Sequence, residues 1–127
     1  MLVADDNAVV REELPKLLEI DGDIEIVGAA SNGREAIAMA EASSPDVIIM
    51  DVKMPELDGI AATKVIRTAN PAVRVIMLSI FDTAEYVDAS LEAGASNYMV
   101  KSTEVDTLAN EIRRIANDQE IEAVECE

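Results

Sequence analysis

Asp5 and Asp6, Asp51, Ser79 and Lys101 are the residues of this sequence whose types could do chemistry together. Each stands at the end of a segment that reads as a strand, over 1–4, 47–50, 73–78 and 96–100 respectively, the first two of them continuous apolar runs. Continuous apolar runs of that length read as strands buried on both faces. If the strands are parallel, all of these residues lie at one edge of a sheet, outside the carboxyl ends where such sheets gather ligands. If the first and third strands are neighbours, about 4.8 Å apart, the carboxylates of Asp5, Asp6 and Asp51 meet. Three acids that close repel one another unless they share a hard divalent cation. The chain has no histidine and a single cysteine, Cys126, so the usual general base and a zinc centre are both missing. Oxygen-only ligation points to Mg2+. Taken singly the residues are bland. Asp51 can be a strand-ending turn residue, Lys101 a surface charge, Ser79 a cap, and Tyr98 a core aromatic whose hydroxyl needs a partner. Met54, Pro55 and Gly59 read alone as loop residues. Their joint occurrence, in order and at strand ends, is what favours a functional site.

The elements that must position them follow from pattern. After strand 1, Asp6 or Asn7 can cap a first helix whose apolar stripe is Val9, Val10, Leu14, Leu17 and Leu18, with Pro15 inside it removing one backbone bond and kinking it. Gly22 ends that helix and 24–30 supplies a β-branched second strand. Asn32 with Glu35 resembles a capping box for helix 2, over 34–42, which Ser43-Ser44-Pro45 breaks. Asp58 caps helix 3, over 59–69, which carries Ile60, Val65 and Ile66 inward until Asn70-Pro71. Asp82 or Thr83 starts helix 4 and Gly94 is its left-handed stop. Ser102 or Thr103 caps the last helix, where Val105, Leu108, Ile112 and Ile115 keep helical spacing to about Asn117. Five strands alternating with five helices make an α/β, doubly wound parallel sheet covered on both faces. The domain spans 1–117, and 118–127 reads as an acidic tail or linker stub.

Composition narrows the function. At 127 residues the chain fits one domain with a proper core. Ten basic against 26 acidic residues give a net charge of −16, which repels phosphate backbones and anionic membranes, so direct nucleic-acid or membrane binding is not expected. No apolar run approaches the ~20 residues of a membrane span and no signal peptide stands at the start, which makes cytoplasmic the default. A glycine-rich dinucleotide turn is absent after strand 1, where two carboxylates stand instead.

Asp5-Asp6, MDVKMPELDG at 50–59, MLS at 77–79 and YMVK at 98–101 together resemble the receiver domain of two-component response regulators, the CheY-like family. The resemblance covers almost the whole chain, and VGAASNGREAIAMA and FDTAEYV are closest to the LuxR/FixJ-type branch. It implies a flavodoxin-like sheet of order 2-1-3-4-5. It implies that Asp51 accepts a phosphoryl group from a sensor histidine kinase, that Asp6 ligates Mg2+ directly and Asp5 through water, and that the Lys53 backbone carbonyl completes the protein's share of the shell. Ser79 and Lys101 then hold phosphoryl oxygens, and Tyr98 changes position with Ser79. Lys53 and Phe81 flank the pocket at positions that tune water attack, and Ile80 is bulkier than the small residue common there.

A domain of this kind catalyses only its own phosphorylation and dephosphorylation, forms a homodimer on phosphorylation in some members, and reaches DNA only through an output domain. No helix-turn-helix follows here, so the chain is either a stand-alone receiver or a piece of a longer regulator. Two alternatives are a haloacid-dehalogenase-type phosphohydrolase and an unphosphorylated docking module of the same fold. The first carries an acid two residues after its nucleophile, where this chain has Lys53, and the second usually lacks one of the key acids or the lysine, all present here.

Overall fold

The computed structural model describes residues 1–81 and 83–125, with side chains through residue 116. Five strands, β1 (Leu2–Ala4), β2 (Gly28–Ala30), β3 (Val47–Met50), β4 (Arg74–Ser79) and β5 (Asn97–Val100), form one parallel sheet in the order β2-β1-β3-β4-β5. Helices α1 (Ala8–Leu18), α2 (Gly33–Ser43), α3 (Gly59–Ala69), α4 (Ala84–Glu92) and α5 (Val105–Glu125) alternate with them. The order reverses at β1, whose neighbours are β2 and β3, so the crevice of the sheet opens between the carboxyl ends of β1 and β3.

The central strands β1, β3 and β4 are apolar, apart from Arg74 and Ser79 at the two ends of β4, because alternate residues feed two cores. Leu2, Ala4, Ile48, Met50, Val75 and Met77 face α2 and α3, packing on Ala36, Ala40, Ala62 and Ile66. Val3, Val47, Ile49, Ile76 and Leu78 face α1 and α5, packing on Leu14, Leu18, Leu108, Ile112 and Ile115. Caps set the helix starts. Asn7 Oδ1 accepts from Val9 N at 2.9 Å, Asn32 Oδ1 from Glu35 N at 2.9 Å, and Asp58 Oδ1 from Ala61 N at 2.8 Å. Glu35 answers by accepting from both the amide and the hydroxyl of Ser31, one residue earlier than the usual reciprocal bond. Gly94, at φ +110°, follows α4 as the left-handed stop.

Several expectations are corrected. The second strand is Gly28–Ala30, not 24–30, because β1 offers three residues for pairing and Val27 N is taken by Met1 O just before the ladder. Val9 and Leu17 do not join the inward stripe of α1: Leu14 and Leu18, one turn apart, hold the buried face and turn those two outward. In α3 the sheet receives Gly59, Ala62, Thr63 and Ile66, and Val65 falls to the outer side. Gly22 stands in the turn after α1, which ends at Leu18. The last helix begins at Val105 directly after Glu104, so neither Ser102 nor Thr103 occupies the cap position, and it runs to Glu125 and not to about Asn117. Asp82, one of two expected starts for α4, and Cys126 lie outside the described residues; Thr83 precedes Ala84. Among the described residues no helix is long and apolar enough to cross a membrane.

Candidate functional site

Every strand end named by the sequence lies at one edge of the sheet. Asp5 follows β1, its amide donating to Ala30 O at 3.0 Å, and Asp51 follows β3, its amide donating to Ala4 O at 2.9 Å. These ladder bonds extend the sheet by one residue on each strand and fix where the two carboxylates start. Ser79 closes β4, and Lys101 N donates to Ser79 O at 2.8 Å, so β5 delivers the lysine beside the serine. Asp5, Asp51 and Ser79 are buried, whereas Asp6 is exposed.

Carboxylate oxygens of Asp5, Asp6 and Asp51 lie within 4.8 Å of one another. Lys101 Nζ reaches into the same point, 2.8 Å from Asp5 Oδ2 and 3.4 Å from Asp51 Oδ2. Burial, and then the Asp5 carboxylate beside it, push the Asp51 carboxyl up to about 6, with Lys101 pulling the other way. Burial lowers the Lys101 ammonium, but its hydrogen bond to Asp5 and the charges of Asp5 and Asp51 outweigh this and raise it above its ordinary value. One ammonium therefore serves two buried carboxylates incompletely. The remaining negative charge, an all-oxygen donor set and one acid exposed to water fit a hard divalent cation that keeps several waters.

Two switch candidates converge on the backbone of one residue, Phe81. Ser79 Oγ accepts from Phe81 N at 3.1 Å, and the Tyr98 hydroxyl donates to Phe81 O. Tyr98 is half-buried against the α2–α3 core. Lys53, two residues after Asp51, lies over both neighbouring aromatics, its Nζ 5.7 Å from the Phe81 ring centre and 5.4 Å from that of Tyr86. The two rings are themselves 5.3 Å apart. A hydrogen bond to Tyr86 raises the Lys53 ammonium above its ordinary value. Ile80, beside Ser79, is exposed.

Sequence reasoning missed part of the support. Gly59 is no mere loop residue: a Cβ there would lie 1.7 Å from Asp51 O, so α3 starts against the peptide of Asp51 itself, and Gly59 N donates to Val52 O at 2.8 Å. Gly33 is packed likewise against Leu57 O, at 2.2 Å from its absent Cβ. The intervening loop takes a left-handed residue at Glu56, φ 65°, whose carboxylate accepts from Asn32 Nδ2 at 2.9 Å. Arg11 Nη1 donates to Asp5 O at 3.0 Å, which ties α1 to the acid pair. A glycine in the first helical turn, where other residues are better helix formers, was the available signal for Gly59. Nothing in the spacing marked Tyr86 or Arg11.

The profile of the response regulator receiver domain matches residues 1–113. The transcriptional regulatory protein YxjL of Bacillus subtilis is 40% identical over 119 residues, covering 94% of this chain and 55% of that protein. The signal receiver domain of a NarL response regulator from Mycobacterium tuberculosis superposes with a TM-score of 0.87 at 28% identity, covering 91% of this chain and 94% of that one. CheY in a CheX–CheY complex with beryllofluoride and Mg2+ from Borrelia burgdorferi superposes with a TM-score of 0.83 at 26% identity, covering 90% and 86%. The chain spans about half the length of the curated relatives it matches. With its five-stranded sheet in the order β2-β1-β3-β4-β5, its acid cluster and its full-length likeness to these domains, the chain belongs to the family of response regulator receiver domains of two-component systems.

Proposed function

We propose that Asp51 is the phosphoacceptor of this receiver and takes its phosphoryl group from a sensor histidine kinase. The observation that carries the reading is the lysine bridge: Lys101 Nζ lies within 3.4 Å of Asp51 Oδ2 while also bound to Asp5, with Ser79 on the adjoining strand. In the transfer an Asp51 carboxylate oxygen forms the new P–O bond as the P–N bond of a phosphohistidine breaks, leaving an acyl phosphate and a free imidazole. Asp5, Asp6 and Asp51, with the backbone carbonyl of Lys53, would hold Mg2+, which supplies charge neutralisation to the loose phosphoryl transition state. Lys101 offers its donors to the oxygens arriving on Asp51, relaxing its grip on Asp5. No proton needs to be taken from the carboxylate nucleophile, so the lack of a histidine is no obstacle.

Ser79 then turns its hydroxyl toward the phosphoryl oxygens and releases the Phe81 amide. Because Tyr98 holds the carbonyl of that same residue, the rearrangement passes to β5 and rebalances two packings of the face from β4 to α5. On this reading 1–117 is the receiver and 118–127 its acidic tail or linker stub, the first part of which continues α5, the chain works in the cytoplasm, phosphorylation promotes a homodimer, and any contact with DNA belongs to an output domain. The chain's catalysis is confined to its own phosphorylation and dephosphorylation. Incubation with acetyl phosphate and Mg2+ tests the assignment. Intact-mass spectrometry should record one added phosphoryl group on the wild type and none on Asp51→Asn; equal modification of both would reject it.

A further inference from the structure

Two tyrosines and one phenylalanine are the only aromatic residues of the chain, and all three meet at Phe81, just past the end of β4. The Tyr98 hydroxyl holds the Phe81 carbonyl and Ser79 Oγ holds its amide at 3.1 Å. The Tyr86 ring lies 5.3 Å from the Phe81 ring at an interplanar angle of 44°. Lys53, from the loop after β3, sets its ammonium over both rings, 5.7 Å from Phe81 and 5.4 Å from Tyr86, inside the range where a ring face attracts a cation. Phe81 thus joins β4, β5, α4 and the loop that follows Asp51.

Tyr86 is the member placed to hold the others. It sits in the first turn of α4, tied there by the buried Ser90 hydroxyl, which donates to Tyr86 O at 2.7 Å, and its ring is half-buried against the α2–α3 core. Lys53 is exposed and has no core of its own to rest on; it also hydrogen-bonds the Tyr86 side chain, which raises its ammonium above the ordinary value. Once Ser79 turns toward a phosphoryl group on Asp51, Phe81 loses its amide partner and its ring loses a fixed seat. The contacts among Lys53, Phe81 and Tyr86 therefore belong to the packing of the unmodified domain. Contacts made in only one of two packings draw the equilibrium toward that one.

We propose that Tyr86 is a positioning residue of the phosphoryl site: it holds Phe81 and the Lys53 ammonium in a three-part clamp that an adduct on Asp51 must open. The inference rests on Asp51 being the phosphoacceptor. The test is titration of beryllofluoride into the isotopically labelled full chain with Mg2+ present, followed by NMR. In the free wild type the Lys53 ε-methylene protons should be shifted upfield by the two rings, and they should move to the position of an unclamped lysine as the adduct forms. In Tyr86→Leu they should start at that position, and beryllofluoride should bind about threefold more tightly, because an exposed cation–ring contact no longer opposes the change. Tyr86→Phe keeps the ring and should restore both the upfield shift and an affinity near that of the wild type. If Tyr86→Leu loses native dispersion, the Lys53 shifts of the wild type decide alone. An adduct on Asp51 that leaves the Lys53 protons upfield, or a folded Tyr86→Leu that binds no more tightly than the wild type, would overturn the clamp while leaving the phosphoacceptor in place. Absence of any bound fluorine resonance would instead reject Asp51 as the acceptor, and the clamp with it.

Discussion

Replacing Asp51 with asparagine should stabilise the metal-free protein at neutral pH and leave it unchanged in acid. Asp51 is only 5% exposed and lies beside Asp5, and its carboxyl is raised from 3.8 to about 6. A raised carboxyl means that the folded state binds more protons than the unfolded one between those two values. Stability therefore falls as pH rises through the window from about 4 to 6 and stays low above it. The shift corresponds to a destabilisation on the order of 2–3 kcal/mol at pH 7.5. An asparagine side chain keeps the shape of the aspartate and an oxygen for Lys101 but carries no charge.

The exposed acids Asp23 and Glu35 and the half-buried Glu111, lowered by Arg113, Ser31 and Arg114 respectively, contribute the opposite slope, losing their stabilisation as pH falls. They are the same in both proteins and cancel in the difference. Urea unfolding followed by circular dichroism at steps from pH 4 to 7.5 in EDTA measures that difference directly. It should grow from near zero at pH 4 to its full value above pH 6.5. A constant difference, or an asparagine variant less stable at pH 7.5, would refute the claim that an uncompensated buried charge sits at the sheet edge.

Mg2+ should reverse the effect by giving that charge a partner. At a hundredfold excess over its Kd it adds about 2.7 kcal/mol to the wild type, raising Tm by on the order of 10 °C in calorimetry, and much less to Asp51→Asn. Gly59→Ala forces a methyl into the Asp51 carbonyl and should destabilise by about 3 kcal/mol or more, with acetyl phosphate labelling falling in the fraction that remains folded. Asn32→Ala removes both the α2 cap and the grip on Glu56. A loss of about 1–2 kcal/mol in urea unfolding is expected, together with slower labelling as the loop after β3 loosens.

Much of this architecture was legible because the chain states it redundantly. Val47–Met50 is apolar on both faces, stops at Asp51 and is followed by a capped helix, so strand, edge and helix start each confirm the others. Asp58, Asn32 and Gly94 announced helix ends through local chemistry that tertiary contacts did not override. Strand ends gave the site because parallel strands share a carboxyl edge, which needs no side-chain detail. What was hidden depends on packing direction or on contacts far apart in the chain. Val9, Leu17 and Val65 fit a helical period, yet each helix buries a stripe narrower than its apolar residues allow. Ile24 and Ile26 have strand composition, but β1 pairs with β2 over three residues only. Gly59 looked like punctuation because its constraint is the carbonyl of Asp51, eight residues earlier and brought close by the crossover. The meeting of Ser79 and Tyr98 on the amide and the carbonyl of Phe81 has no trace in spacing at all.

The most direct test of the account is a crystal structure of this chain with Mg2+ and beryllofluoride. It should show the adduct on Asp51 Oδ, a metal ion among Asp5, Asp6 and Asp51, and Lys101 Nζ and Ser79 Oγ turned onto the fluorines, with the Ser79–Phe81 hydrogen bond broken. An adduct on another residue, or one on Asp51 that leaves Lys101 bound to Asp5 and Ser79 on Phe81, would contradict it.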